Sequence, residues 1–63
     1  MDTITIRRGP EFWMATFSGP SGAEVKRLFG QATLPTPFRA HCPAERVLRE
    51  IGNRNPHSAV RLG

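Results

Sequence analysis

Pro43-Ala44-Glu45-Arg46-Val47-Leu48-Arg49-Glu50-Ile51-Gly52-Asn53 is the stretch whose reading decides the fold. Ala44, Val47, Leu48 and Ile51 recur at i, i+3, i+4 and i+7, which puts them on one stripe of a helix and leaves the charged residues on the other side. Its limits are also legible. Cys42 takes the cap position, Pro43 suits the first helical position, and Glu45 favours the positive N-terminal end. Gly52-Asn53 supply residues that tolerate the left-handed conformation in which many helices end. The pairs Glu45 with Arg49 and Arg46 with Glu50, four apart, support the solvated side. A helix with a single apolar stripe must lay that stripe on something, and the flanks supply strands.

After the helix, Asn55-Pro56-His57 reads as a turn, and Ser58-Ala59-Val60-Arg61-Leu62 alternates so that Val60 and Leu62 share one side of a closing strand. At the other end of the chain, Thr3-Ile4-Thr5-Ile6-Arg7-Arg8 alternates in the same way, with Ile4 and Ile6 on one side. Gly9-Pro10 is a turn signal, and Phe12 to Phe17 reads as a second strand, joined to the first as an antiparallel hairpin because the connection is short. Within that second strand, alternation sets Trp13, Ala15 and Phe17 against Phe12, Met14 and Thr16. One helix covers one side of a sheet. The larger set, Trp13 with Phe17, is expected to face it, leaving Phe12 and Met14 as a contact surface flanked by Arg7.

Between hairpin and main helix, Ala23 to Gly30 carries Val25, Leu28 and Phe29 at helical spacing, so a short second helix is expected there, with Ser21 and Glu24 as a capping box and Gly30 ending it. The competing reading is a third strand of the meander. Leu34-Pro35-Thr36-Pro37 reads as a stiff extended connector, because proline lacks a donor and disfavours helix in the preceding residue. Phe38 to His41 is a candidate short edge strand. The fold expected for residues 1–63 is thus a single α+β domain. It has a small antiparallel or mixed sheet of three or four strands, one main helix packed on one face, and a short second helix.

A chain of 63 residues buries only about 60% of the surface it exposes when unfolded, so extra support is expected from a partner or from self-association. The single Cys42 forms no internal disulfide, and with His41 and His57 it lacks the ligand number and spacing of a structural zinc site; no cofactor or metal is expected. No basic, apolar leader and no apolar run of about 18 residues is present, which points to a cytoplasmic protein without a membrane span. Nine Lys and Arg against five Asp and Glu give a net charge of +4 and a pI near 11.2. That balance suits an anionic partner such as nucleic acid. Eight of the nine cations are Arg, a bias that genome composition also produces.

The order hairpin, short strand, amphipathic helix, closing strand, carried by Thr3 to Phe17, Pro43 to Ile51 and Ser58 to Leu62, resembles the small ββ(β)αβ fold of HicB-type antitoxins. Leu28 to Phe38 is also similar to a stretch of short bacterial proteins to which no function is attached. The likeness is one of element order and includes no signature motif. The segment from Pro20 to Gly30 interrupts the pattern, and no appended DNA-binding helix or ribbon follows. What the resemblance implies is an antitoxin-like or mobile-element regulatory protein.

His41-Cys42 at a helix start suggests a reactive thiolate. Adjacent residues need not present sulfur to imidazole, however, and no oxyanion-hole motif or phosphate-binding loop accompanies them. The expectation is a non-enzymatic binding module with no small-molecule substrate. Its contact residues are Arg7, Phe12, Met14, Arg39 and Arg61, and its partner is a protein or a second copy in a homodimer. Nucleic acid bound by the arginines and an aromatic sheet face is the alternative.

Overall fold

The computed structural model describes residues 2–63. In chain order the elements are β1 (Asp2–Arg8), β2 (Phe12–Ser18), α1 (Pro20–Phe29), β3 (Thr33–Arg39), α2 (Ala44–Arg54) and β4 (Ser58–Leu62). The strands make one mixed sheet in the order β3-β2-β1-β4. β1 pairs antiparallel with β2, placing Ile4 beside Phe17 and Ile6 beside Ala15, and parallel with β4, placing Ile4 beside Val60. The α+β class, the mixed sheet and the second helix at residues 20–29 agree with the reading of the sequence.

Period-two alternation sorts each strand onto two sides. Ile4, Ile6, Trp13 and Ala15 turn toward α2, where Val47 and Ile51 complete the buried core; Phe17, Phe38, Cys42, Ala44, Leu48 and Val60 pack around it, partly buried. Ile6 and Val47 are fully enclosed. The expected core is present with one difference, at Leu62. Trp13 enters it from the side on which alternation placed it, and its indole Nε1–H donates to the Cys42 carbonyl at 3.0 Å, which gives a buried indole the partner it needs. Leu62 leaves it, 52% exposed, at the end of β4, an edge strand with no neighbour on its outer side.

Local chemistry corrects several boundaries. β3 occupies Thr33–Arg39, so the proline segment is itself the edge strand and Phe38 only its end. Proline excludes a central strand but not an edge, where one row of N–H groups has no neighbour to meet. An irregularity in the β2–β3 register between Phe12 and Met14 absorbs the misfit. α1 is capped by Gly19 (φ 101°) with Pro20 at its start, and no side chain caps it. Ser21 sits inside the first turn and its hydroxyl donates to the Asp2 carboxylate, which also accepts the Ser21 N–H. A carboxylate from β1 therefore takes the place of the expected capping box, at the helix end that favours negative charge. The Ser21 hydroxyl bond holds the Asp2 carboxyl below the usual carboxylate range. Gly30 ends α1 in the left-handed conformation (φ 77°), as expected.

α2 starts one residue later than read, with Pro43 at the cap. It also runs past Gly52-Asn53 to Arg54, where Asn55 donates its side-chain amide to the Ile51 carbonyl at 2.9 Å. Gly22 lets α1 lie against β2: a β-carbon there would collide with the Phe17 backbone carbonyl. Among the described residues, no helix is long and apolar enough to cross a membrane.

Candidate functional site

Both helices leave one side of the sheet uncovered. Strand parity places Thr3, Thr5 and Arg7 of β1 on it, with Phe12, Met14 and Thr16 of β2, Thr33, Pro35 and Arg39 of β3, and Ala59 and Arg61 of β4. None of these residues is buried. The five residues expected as contacts, Arg7, Phe12, Met14, Arg39 and Arg61, lie on four different strands, and the sheet order brings them to this one side.

Their arrangement follows the register. Arg39 stands opposite Phe12, and its guanidinium lies 4.8 Å from the centre of the Phe12 ring. Stacking of this kind holds the cation in place while keeping it charged and open to solvent. Met14 sits between Arg7 on β1 and Pro35 on β3. The neighbouring row is Thr33, Thr16, Thr5 and Arg61, with the hydroxyls of Thr16 and Thr33 hydrogen-bonded at 3.0 Å. Arg7 and Arg61 are diagonal neighbours across β1 and β4, since Arg61 stands opposite Thr5. Phe12 and Met14 are half-buried, whereas Arg7, Arg39 and Arg61 are exposed. The surface has an apolar centre with cations around it.

Its electrostatics have one sign. Asp2 lies on the helix side with Ile4 and bonds Ser21, Glu11 is in the β1–β2 turn, Glu24 is on α1, and Glu45 and Glu50 are on α2. None of the strand residues on the helix-free side is acidic.

Arg8, by contrast, projects to the helix side, where its guanidinium lies 4.7 Å from the centre of the Trp13 ring, opposite which it stands in the register. Cys42 packs against the core with His41 exposed beside it. No group of three or more His, Cys, Asp or Glu converges among the described residues.

One further feature escaped the reading of the sequence. A half-open groove of about 210 Å³ runs between α2 and β3, with Phe17, Leu34 and Ile51 as apolar walls and Arg54 and Asn55 at its rim. It is smaller than the roughly 300 to 1,000 Å³ of ligand pockets in general. Its existence depends on how far α2 stands from β3, a distance no local pattern encodes.

No protein-family model matches the chain, and no curated protein or solved structure shows significant similarity to it.

Proposed function

We propose that the protein is a non-enzymatic binding module whose helix-free sheet face docks the acidic surface of a partner protein. The observation that carries this reading is the convergence of Arg7, Arg39 and Arg61 around half-buried Phe12 and Met14, on a face whose strands contribute no acidic residue. Arg, Phe and Met are enriched at protein interfaces, and an apolar centre within a polar rim is their usual anatomy. Three like charges also oppose a dimer made by this face against itself, since a two-fold axis would bring the arginines of two copies together. An antitoxin-like role, suggested by the order of elements alone, is one form of the same reading.

Nucleic acid is the second reading, favoured by the same three arginines, which suit phosphates as well as carboxylates. Against it, Phe12 is the only aromatic residue on the face among the described residues, and one side of its ring is occupied by Arg39. Stacking platforms for single strands present successive bases with open rings.

The test is capture of interacting proteins from source-cell extract by the wild type and by Phe12→Ser/Met14→Ser, with and without nuclease. The expected result is an identifiable protein that survives nuclease treatment, binds the wild type, and is lost by a double variant that melts like the wild type. Retention of nucleic acid alone, with a log–log salt slope near −2 as expected for about three phosphate contacts on a single strand, rejects the protein reading in favour of the second.

A further inference from the structure

The two edges of the sheet are built differently. In β3, the pairing of Leu34 with Ala15 and the 3.0 Å bond from Phe17 N–H to the Ala32 carbonyl turn the even-numbered residues toward β2. Pro35 therefore faces outward, with Pro37 two residues on, and neither has an N–H to offer a neighbour. Edge prolines of this kind block pairing with another chain. β4, at the opposite edge, contains no proline. There the Gly63 N–H donates to the Ile6 carbonyl at 3.0 Å, which turns the odd-numbered residues toward β1. Val60 and Leu62 consequently direct both N–H and C=O away from the sheet. The Ser58 N–H is taken by the Asn55 carbonyl at 3.1 Å, leaving the Ser58 carbonyl free. Leu62, on the helix side of the same edge, is 52% exposed.

We propose that β4 pairs antiparallel with β4 of a second copy, across a two-fold axis centred on Val60, so that one sheet continues through both molecules. The register follows from the residues. The two Val60 residues exchange both of their backbone bonds, and each Leu62 N–H donates to the Ser58 carbonyl of the other copy. Arg61 then stands opposite Ala59 and not opposite itself, so the two Arg61 residues are only diagonal neighbours, far enough apart for both guanidinium groups to turn into solvent. Leu62 lies across from Ser58 and diagonal to Val60, which covers its exposed side chain with an apolar neighbour. The self-complementarity of this pattern, in backbone bonds and apolar contact, is what selects a second copy over an unrelated strand. It also gives a small chain the shared burial that its own core lacks. The helix-free face stays open in the pair, so this association and the docking proposed above are independent.

Sedimentation equilibrium from low micromolar to near-millimolar concentration tests the proposal, together with hydrogen exchange of the Val60 amide. The wild type is expected to double in mass as concentration rises, with protection of the Val60 amide rising in parallel. Leu62→Pro removes an outward N–H that no described residue uses, and should hold the mass at that of the monomer with little change in melting. Phe12→Ser/Met14→Ser should still dimerise. A wild type that stays monomeric throughout overturns the proposal. So does a dimer that persists in folded Leu62→Pro, or one in which the Val60 amide exchanges as fast as in the monomer. Because the exchange measurement uses the wild type, it decides the matter even if Leu62→Pro fails to fold.

Discussion

Ile6→Ala is the substitution through which the packing argument is most exposed. Ile6 is fully enclosed on the central strand β1, between Ala15 of β2 and Leu62 of β4 in the register and beneath α2. Truncation removes three carbons, worth about 2.4 kcal/mol at ~0.8 kcal/mol each. A cavity term is added because both neighbouring strands are held by their ladders and cannot close on the gap, bringing the expected loss to about 3 to 4 kcal/mol. A domain of this length has on the order of 3 to 9 kcal/mol in all. Urea unfolding followed by the fluorescence of Trp13, the single tryptophan, in the same core, is the assay. With a slope near 1 kcal/mol per molar for so small a protein, the midpoint should fall by roughly 3 M or the chain should unfold outright. Leu48→Ala is the comparison: Leu48 shares the helix stripe but is only half-buried, and should lose about 1 to 2 kcal/mol. If Leu48→Ala cost as much as Ile6→Ala at the same low protein concentration, the burial described for the two positions, and the placement of α2 that follows from it, would be refuted.

Glycine to alanine is expected to have opposite signs at two helical positions. At Gly52 a β-carbon meets nothing, so Gly52→Ala should stabilise by about 0.5 to 1 kcal/mol through helix propensity. At Gly22 it collides with the Phe17 backbone carbonyl, which cannot give way, and Gly22→Ala should destabilise by about 1 to 3 kcal/mol; thermal melts of both variants check the pair. The Asp2 carboxylate has its pKa lowered by the Ser21 hydroxyl, so its contribution to stability is fully present above the unfolded-state pKa and is lost as pH falls through the folded-state value. Asp2→Asn should therefore melt lower than the wild type at neutral pH, and the difference should disappear in acid; a difference that persists below both pKa values would rule out the carboxylate as the source.

Much of the fold was legible because its signals are local. The hairpin follows from alternation in Thr3 to Phe17, and α2 from a stripe spaced at i, i+3, i+4 and i+7. The division of β2 into Trp13, Ala15 and Phe17 against Phe12, Met14 and Thr16 needed only parity and the rule that one helix covers one side. β3 was misread for a specific reason: the prohibition on proline holds for central strands, and nothing in Leu34 to Pro37 says whether a strand lies inside a sheet or at its edge. The caps failed differently. Ser21 has a good capping side chain, but Asp2, distant in sequence and adjacent in the sheet, offered its hydroxyl a charged acceptor, and a tertiary bond displaced the local one. For the candidate face, parity assigned Phe12, Met14 and Arg7 together. Joining Arg39 and Arg61 to them required the strand order, which the sequence does not display. Arg8, one residue from Arg7, belongs by the same parity to the opposite surface.

The parallel pairing of β4 with β1 also bears on how the chain reaches this state. β1, β2 and β3 form a meander in which each strand meets the next across a short connection or a single short helix, contacts that form early because little loop entropy opposes them. β1 is different on its other side, where Ile4 and Ile6 wait for Val60 and Leu62 to arrive from the far end of the chain. Until they do, the central strand of the finished sheet is an edge strand, and the apolar side it presents is roofed only when α2 docks. Emerging before the other strands and acquiring its last neighbour at the end, β1 is the segment through which an incomplete chain aggregates most readily. Docking of α2 with β4 is then the step that both completes the sheet and ends that vulnerability, and the rate of that step sets how long each new molecule remains open to capture by its neighbours.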